Sequence, residues 1–182
     1  MTLQRLSTQQ LLHEYNQGDR DFSETSLRRL SLIGKYLVGI DLHRCDLSSA
    51  DLSRSDLSRA NLSGANLTDA ELIDTNFSGA NLQGTNLIGA NLQAATLIGT
   101  NLVGVDLRSA DLSGADLSGA DLCDAKLSGA VLRNANLTGT RLDMTELEMA
   151  ECEGAMLDEL EAADAYESKT ASLKWVSWGA HS

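Results

Sequence analysis

The sequence predicts an all-β solenoid, a rod of short stacked coils that runs from residue 20 to residue 159. The first observation is a period of five: of the 28 positions taken every fifth residue from Phe22 to Leu157, 25 are leucine. The second is a small residue, mostly alanine, two positions before these leucines. A period of five fits neither an α-helix nor a β-strand. We therefore interpret each five-residue unit as one side of a coil, with the leucine and the small residue pointing inward.

The remaining positions of the unit indicate corners. Thirteen of the 15 glycines stand at the fifth position, and the residue just before the leucine is Asp in nine units and Asn in eight. Glycine accepts the backbone angles of tight turns, and short Asp and Asn side chains bond to neighbouring backbone groups. The phase does not slip over 140 residues, which predicts a rod without an insertion or a loop.

The runs "RANLSGANLTDAEL" at residues 59–72 and "SADLSGADLSGADL" at 109–122 resemble the tandem A-(D/N)-L-x-x motif of the pentapeptide repeat family. The opening "LLHEYNQGDRDF" resembles a lead-in common in cyanobacterial members. The resemblance implies a right-handed quadrilateral β-helix, and four sides per coil give about seven coils of twenty residues. Arg20, Leu30 and Lys35 depart from the motif, because they stand at inward positions meant for small residues.

The open edges of a solenoid need covers, and the sequence predicts one at each end of the repeat. The chain therefore divides into an N-terminal segment, residues 1–19, the repeat, residues 20–159, and a C-terminal segment, residues 160–182. Ser7 and Gln10 form a capping box at the start of a helix that Gly18 ends, which predicts an N-terminal capping helix. Residues 156–167 predict a second helix. The segment 160–182 holds Trp175 and Trp178 and is expected to act as a helical or irregular C-terminal cap. A C-terminal homodimer is the alternative to the monomer that we favour.

Charge and composition limit the compartment and the partners. The net charge of −12 and the pI near 4.5 argue against direct nucleic-acid binding, which needs Lys and Arg to neutralise phosphates. Residues 1–20 contain no apolar signal-peptide core, and no stretch is apolar enough to span a membrane. Three cysteines are too few for a disulfide framework. We therefore expect a cytoplasmic protein whose partner is another protein, not a membrane.

Candidate catalytic and metal sites are weak. His43 lies in one predicted outward column with Ser23 and Ser63, and Asp41 is close, but a convex column offers neither a pocket nor an oxyanion hole. His43 and Cys123 lie about four coils, or roughly 19 Å, apart, too far to share a metal. Cys45 and Cys152 are better explained as core residues. The sequence thus predicts no catalytic residue, no metal site, no cofactor and no enzyme activity.

The carboxylates form the one pattern that suggests a function. Aspartates ring two coils, and asparagine mostly takes the same position between them: Asp41, Asp46, Asp51, Asp56; Asp106, Asp111, Asp116, Asp121. The simpler interpretation is that both residues serve the turns and that asparagine separates like charges. The alternative is an acidic rod that imitates DNA and acts on DNA gyrase, as the resemblance to quinolone-resistance members of the family implies. Basic residues interrupt the negative charge of the rod at one end: Arg28, Arg29, Arg44, Arg54 and Arg59.

Outward apolar residues are few. Ile73, Ile88, Ile98 and Val103 fall on four different predicted faces and so form no single patch. The sequence therefore predicts a non-catalytic structural or protein-interaction rod whose specific role and partner it does not identify.

Overall fold

The computed structural model describes residues 4–157. From residue 21 onward, the chain forms a ladder of parallel bridges between residues twenty apart. The bridges begin at Asp21–Asp41 and continue to Asn136–Met156, with up to four in each stretch of twenty residues. Most bridge residues precede an inward leucine, as in Asn61–Asn81 and Asn66–Asn86. The predicted twenty-residue register is therefore confirmed across the described repeats.

Longer elements are few, because a coil of four short sides leaves only one or two extended residues on each side. In chain order they are β1 (Gln4–Arg5), α1 (Thr8–Gln17), β2 (Thr25–Ser26), β3 (Asp121–Leu122), β4 (Arg141–Leu142) and α2 (Met144–Leu147). Strand β1 pairs in parallel with β2, and β3 pairs in parallel with β4. Among residues 4–157, no helix is long and apolar enough to cross a membrane.

The core is one continuous column of leucine and alanine. Leu42, Leu52, Leu92 and Ala110 are completely buried, and Phe77 fills a leucine position without exposure. Space is limited by the four leucines of each coil, since protein interiors are packed to crystal-like density. The predicted inward orientation of the leucine and the small residue is confirmed over most of the rod.

A threonine at an inward position forms a hydrogen bond with its hydroxyl inside the core. The Oγ1 atoms of Thr75 and Thr85 donate to the carbonyl oxygens of Leu52 and Leu62, at 2.9 and 2.8 Å. Each acceptor lies 23 residues earlier, in the preceding coil. A buried hydroxyl without an acceptor would destabilise the fold, so these bonds explain why threonine can replace alanine here.

The corners are tight turns with left-handed backbone. The N–H of Ala50 donates to the carbonyl of Leu47 at 2.9 Å, and Ser49 between them has φ = +56°. Turns of this kind require positive φ at the third residue, which explains why glycine is common there. Between residues 4 and 157, twelve residues other than glycine adopt the same conformation, among them Arg29, Arg59 and Ala94.

The N-terminal segment extends the ladder and then forms a helix. Helix α1 has the predicted capping box, with Gln10 N–H bonded to Ser7 Oγ and Ser7 N–H bonded to Gln10 Oε1. Gly18 ends the helix at φ = +109°. Leu11 is fully buried in the same core cluster as the first repeats. The predicted helix, its capping box and its terminator are confirmed.

The first coil departs from the repeat at three positions. Lys35 and Arg20 are exposed, although they stand at inward positions, and Leu30 is only half-buried. Arg20 lies 4.0 Å from the centre of the Tyr15 ring and donates to the Tyr15 carbonyl, so it packs on α1. The departure that the sequence indicates at Arg20 and Lys35 is therefore confirmed, and both side chains are exposed because a charged side chain cannot be buried unpaired in this core.

A second departure lies near the C-terminal end of the described chain. Helix α2 replaces one side of a coil, and the bridge expected between Lys126 and Glu146 is missing there. Instead, the Oε2 atom of Glu146 accepts the Leu127 N–H at 3.0 Å. The register is kept, because Val131 still pairs with Glu151. Helix α2 is therefore not an insertion in the repeat, although it gives this side of the coil a helical backbone that the sequence analysis did not predict.

The predicted helix over residues 156–167 does not include Met156, which forms a bridge with Asn136. Leu157, the next residue of that prediction, is not helical either. Residues 158–167, and the predicted cap over 160–182 with both tryptophans, lie outside the described residues.

Candidate functional site

The outward Asp and Asn residues form the most regular polar feature of the rod. Their Oδ1 atoms accept the backbone N–H two residues later, for example Ser58 N–H on Asp56 at 2.9 Å and Ser78 N–H on Asn76 at 3.0 Å. The same bond recurs at most repeats from Asp21 to Asn136. It confirms that Asp and Asn stabilise the turns in the same way.

Asparagine also links adjacent coils. The Nδ2 amide of Asn76 donates to Asp56 Oδ1 at 3.2 Å, and that of Asn136 donates to Asp116 Oδ1 at 3.1 Å. Each donor lies twenty residues after its acceptor. An amide that donates to a carboxylate replaces the repulsion that a second carboxylate would cause. The structure thus supports the separation of like charges that the sequence predicts.

Among the bridges of residues 4–157, two pairs are acidic on both sides: Asp21–Asp41 and Asp51–Glu71. His43 contacts the first of these pairs, because its Nδ1 atom lies 3.0 Å from Asp41 Oδ1. Partial burial alone would raise the pKa of Asp41, but hydrogen bonds from His43 and Asn61 outweigh it and the pKa is lowered. His43 therefore stabilises a pair of stacked carboxylates.

The Ser-His-Asp arrangement that could be drawn around His43 is not assembled. The Ser63 hydroxyl donates to Asn61 Oδ1 at 2.8 Å. Ser23 is hydrogen-bonded to Asp21 and lowers the pKa of that carboxyl. Within the described part of the chain, neither hydroxyl is bonded to the imidazole, so His43 has no nucleophile to activate. The prediction that the rod contains no catalytic residue stays a prediction.

Two of the three cysteines lie in the core, as the sequence suggests. Cys45 and Cys152 are buried, and burial raises the pKa of Cys152 to about 11, which keeps it a thiol. Cys123 is half-buried, and its hydrogen bond with Asp121 raises its pKa. Among residues 4–157, no three His, Cys, Asp or Glu side chains converge as metal ligands.

Basic residues neutralise part of the second acidic ring. Arg108 lies 2.8 Å from Asp106, and its hydrogen bonds to that carboxylate lower the pKa of Asp106. Arg141 donates to Asp121 at 2.6 Å from the next coil. The ring is therefore less negative than its four aspartates alone would make it.

Two surface features were not predicted from the repeat. Ile33, Tyr36 and Val38 are exposed in the first coil, and Tyr36 is 80% accessible. An open cleft of about 520 Å³ lies between β1, the start of α1 and the first turns, and three arginines line it: Arg5, Arg28 and Arg29. The departure of the first coil from the motif was the signal for the exposed apolar residues, whereas the cleft also depends on Arg5, which lies outside the repeat. The predicted outward residues Ile73, Ile88, Ile98 and Val103 occupy four different columns, and Ile98 is 44% exposed.

The bridges, inward leucines and left-handed corners together define a β-solenoid. The pentapeptide repeat profile matches residues 21–59, 55–93, 85–122 and 115–150, with eight copies of the repeat. These matches span more than half of the chain, so the protein belongs to the pentapeptide repeat family, whose members form right-handed quadrilateral β-helices. No protein of curated function matches the sequence.

Several solved structures are similar to this chain. Rfr23, a pentapeptide repeat protein from the cyanobacterium Cyanothece 51142, is 31% identical over 71% of this chain and 88% of its own, with a TM-score of 0.36. HetL, involved in heterocyst differentiation regulation in the cyanobacterium Nostoc sp. strain PCC 7120, is 28% identical over 82% and 94%, with a TM-score of 0.34. QnrB1, a plasmid-mediated fluoroquinolone resistance protein, is 19% identical over 81% and 86%, with a TM-score of 0.42.

Proposed function

We propose that this protein is a non-catalytic rod that serves as a structural element or as a protein-interaction surface. The observation that supports this most directly is that the outward polar side chains bond to the rod itself, as Ser63 does to Asn61 and Asn76 to Asp56. Among residues 4–157, side chains bonded in this way are not free to act as a nucleophile, a base or a metal ligand. Pentapeptide repeat proteins are in general structural and without enzyme activity.

We further infer about seven coils between residues 20 and 159, with α1 covering the N-terminal edge. The burial of Leu11 against the first coil supports a cover of this kind, since an open solenoid edge would promote association. A monomeric, cytoplasmic protein with a protein partner and no direct nucleic-acid binding fits the net charge of −12.

Site-specific photo-crosslinking tests the interaction surface. A photoreactive amino acid is placed singly at Gln83, Ile88, Gln93 and Ile98, which are outward positions on the four sides of one coil. A partner that docks on one face should crosslink from one or two of these positions in extract of the source cell and not from the others. If none of the four positions gives a discrete crosslinked protein, this part of the rod is not an interaction surface.

The net charge of −12 favours a second candidate, an acidic DNA mimic that acts on DNA gyrase. A mimic must present a continuous negative surface, because the enzyme surface that it occupies normally holds phosphates. The ion pairs of Arg108 with Asp106 and of Arg141 with Asp121 interrupt that surface. We therefore rank gyrase-directed mimicry second.

A supercoiling assay with purified gyrase separates the two candidates. The interaction rod predicts no inhibition of supercoiling and no protection from a quinolone at micromolar protein. Inhibition or protection would favour the mimic. The double variant Asp111→Asn, Asp116→Asn should then weaken the effect, since it removes two negative charges while asparagine can keep the turn hydrogen bonds.

A further inference from the structure

The arginine-lined cleft at the N-terminal end is a concentration of positive charge in a strongly acidic protein. Arg5 lies in β1, where it pairs with Ser26 of β2, and this register brings it beside the turn that contains Arg28 and Arg29. The three side chains line the cleft of about 520 Å³, and they also line an adjoining cleft of about 230 Å³. Residues far apart in sequence therefore converge on one opening.

Few acidic groups oppose these charges. Arg28 Nε lies 3.6 Å from Asp46 Oδ2, which is an ion pair without a hydrogen bond. Asp46 Oδ1 is already occupied by the N–H and hydroxyl of Ser48. Within residues 4–157, Arg5 and Arg29 have no carboxylate partner. Three guanidinium groups thus face one carboxylate, so the cleft attracts an anion.

Arg29 occupies a backbone position that suits glycine better. Its φ is +55°, and the equivalent corners are most often glycine. Arg44 and Arg54, at other corners with positive φ, each pair with a carboxylate of an adjacent coil, Glu24 and Asp74. Among residues 4–157, Arg29 and Arg59 have positive φ and no carboxylate partner, and of these two only Arg29 lines the cleft.

The cleft matches the chemistry of a phosphate group. Guanidinium groups bind tetrahedral oxyanions through paired N–H donors, and several together can neutralise a dianion. The two hydroxyls that line the larger cleft already donate hydrogen bonds, Ser7 Oγ to Gln10 Oε1 and Thr8 Oγ1 to the Ser31 carbonyl. The arginines are therefore the groups that would bind the phosphate.

We propose that Arg5, Arg28 and Arg29 form a binding site for a phosphate monoester at the N-terminal end of the rod. The phosphate comes either from a small molecule or from a phosphorylated side chain of a partner protein. This site does not depend on the interaction surface proposed for the sides of the rod.

Calorimetric titration at low ionic strength tests the site with two probes, inorganic phosphate and a phosphoserine peptide, and with the unphosphorylated peptide as a control. Arg29→Gly removes one guanidinium and leaves a residue that suits the left-handed corner, so the variant should fold. Its affinity for the phosphate probe should fall by about tenfold. Arg59→Gly is the matched control, because Arg59 has φ = +58° but lies outside the cleft. Its affinity should be unchanged.

The two probes also identify the source of the phosphate. Tighter binding of the phosphoserine peptide than of inorganic phosphate indicates a phosphorylated partner, and equal affinities indicate a small molecule. The proposal is overturned if neither probe binds saturably, if the unphosphorylated peptide binds as well, or if Arg29→Gly and Arg59→Gly weaken binding equally.

Discussion

The Nδ2 amide of Asn61 donates a 3.1 Å hydrogen bond to Oδ1 of Asp41, which lies twenty residues earlier in the same column. Asp41 is bridged on its other side to Asp21. The amide therefore ends a run of stacked carboxylates at two.

Asn61→Asp should destabilise the rod, because it extends that run to three carboxylates and removes the amide donor. We expect a loss of about 0.5–1 kcal/mol in the free energy of unfolding at pH 7 and low salt. Urea denaturation measures it. Asn81→Asp is the control, since the bridged neighbours of Asn81 are Asn61 and Asn101, both neutral. It should cost less than about 0.5 kcal/mol. Equal losses would show that stacked charge does not matter.

The inward and outward positions should respond very differently to the same kind of change. Leu92 is fully buried and Ile98 is 44% exposed, and both are aliphatic. Leu92→Asn should cost about 4 kcal/mol, because it leaves a cavity and an amide with little to bond to. Ile98→Asn should change stability by less than about 0.5 kcal/mol. Thermal unfolding of both variants checks the assignment, which similar losses would contradict.

The regular part of the rod could be predicted from the sequence because each residue type has one place in the unit. Leu92 and Ala110 are buried at the positions where the repeat places a leucine and a small residue, and Ser7 with Gln10 forms a local capping box. Helix α2 was not predicted, although Met144 and Met149 stand at the corner position. Both favour helical backbone, and neither adopts the left-handed conformation found at other corners.

The candidate sites were less predictable. The pairing of His43 with Asp41 followed from their spacing of two residues, but its role beside Asp21 required the bridge between neighbouring coils. The arginine cleft depends on the pairing of β1 with β2, and Arg5 lies outside the repeat. A pattern of period five contains no information about a strand that precedes it.

At the corners, glycine should give a more stable fold than alanine. Gly84 has φ = +63°, and a Cβ atom added there would meet nothing within 4 Å, so Gly84→Ala tests backbone strain alone. We expect it to cost about 1 kcal/mol. Ala94 has φ = +54°, and Ala94→Gly should raise stability by up to about 1 kcal/mol. Chemical denaturation of the pair should give opposite signs, and a loss in both would contradict the left-handed corners.

The rod should be stable at neutral pH and lose stability in acid. Partial burial would raise the pKa of Asp111, but bonds from Ser113 and Gln93 outweigh it and hold the pKa below its ordinary value of 3.8. A lowered carboxyl pKa stabilises the fold above about pH 4, and this contribution disappears as the pH falls through the folded-state pKa. We expect the melting temperature to be flat from pH 7 to 5 and to fall below pH 4.

Asp111→Asn should reduce that acid sensitivity, because the amide oxygen can still accept the Ser113 N–H, as Asn91 accepts the Gln93 N–H one coil earlier. A melting temperature that begins to fall near pH 6 would contradict the assignment, since no lowered carboxyl titrates there.

The central claim is that residues twenty apart lie directly above one another. Pulsed electron resonance between spin labels at Ser58 and Thr138 tests it, in a Cys123→Ser background where the buried Cys45 and Cys152 stay unlabelled. These positions share a column and are four coils apart, which predicts a narrow distance distribution near 19 Å, at about 4.8 Å per coil. Coils of fifteen residues would place the labels at about 26 Å by the same spacing. A peak at that distance, or a broad distribution without a peak near 19 Å, would contradict the account.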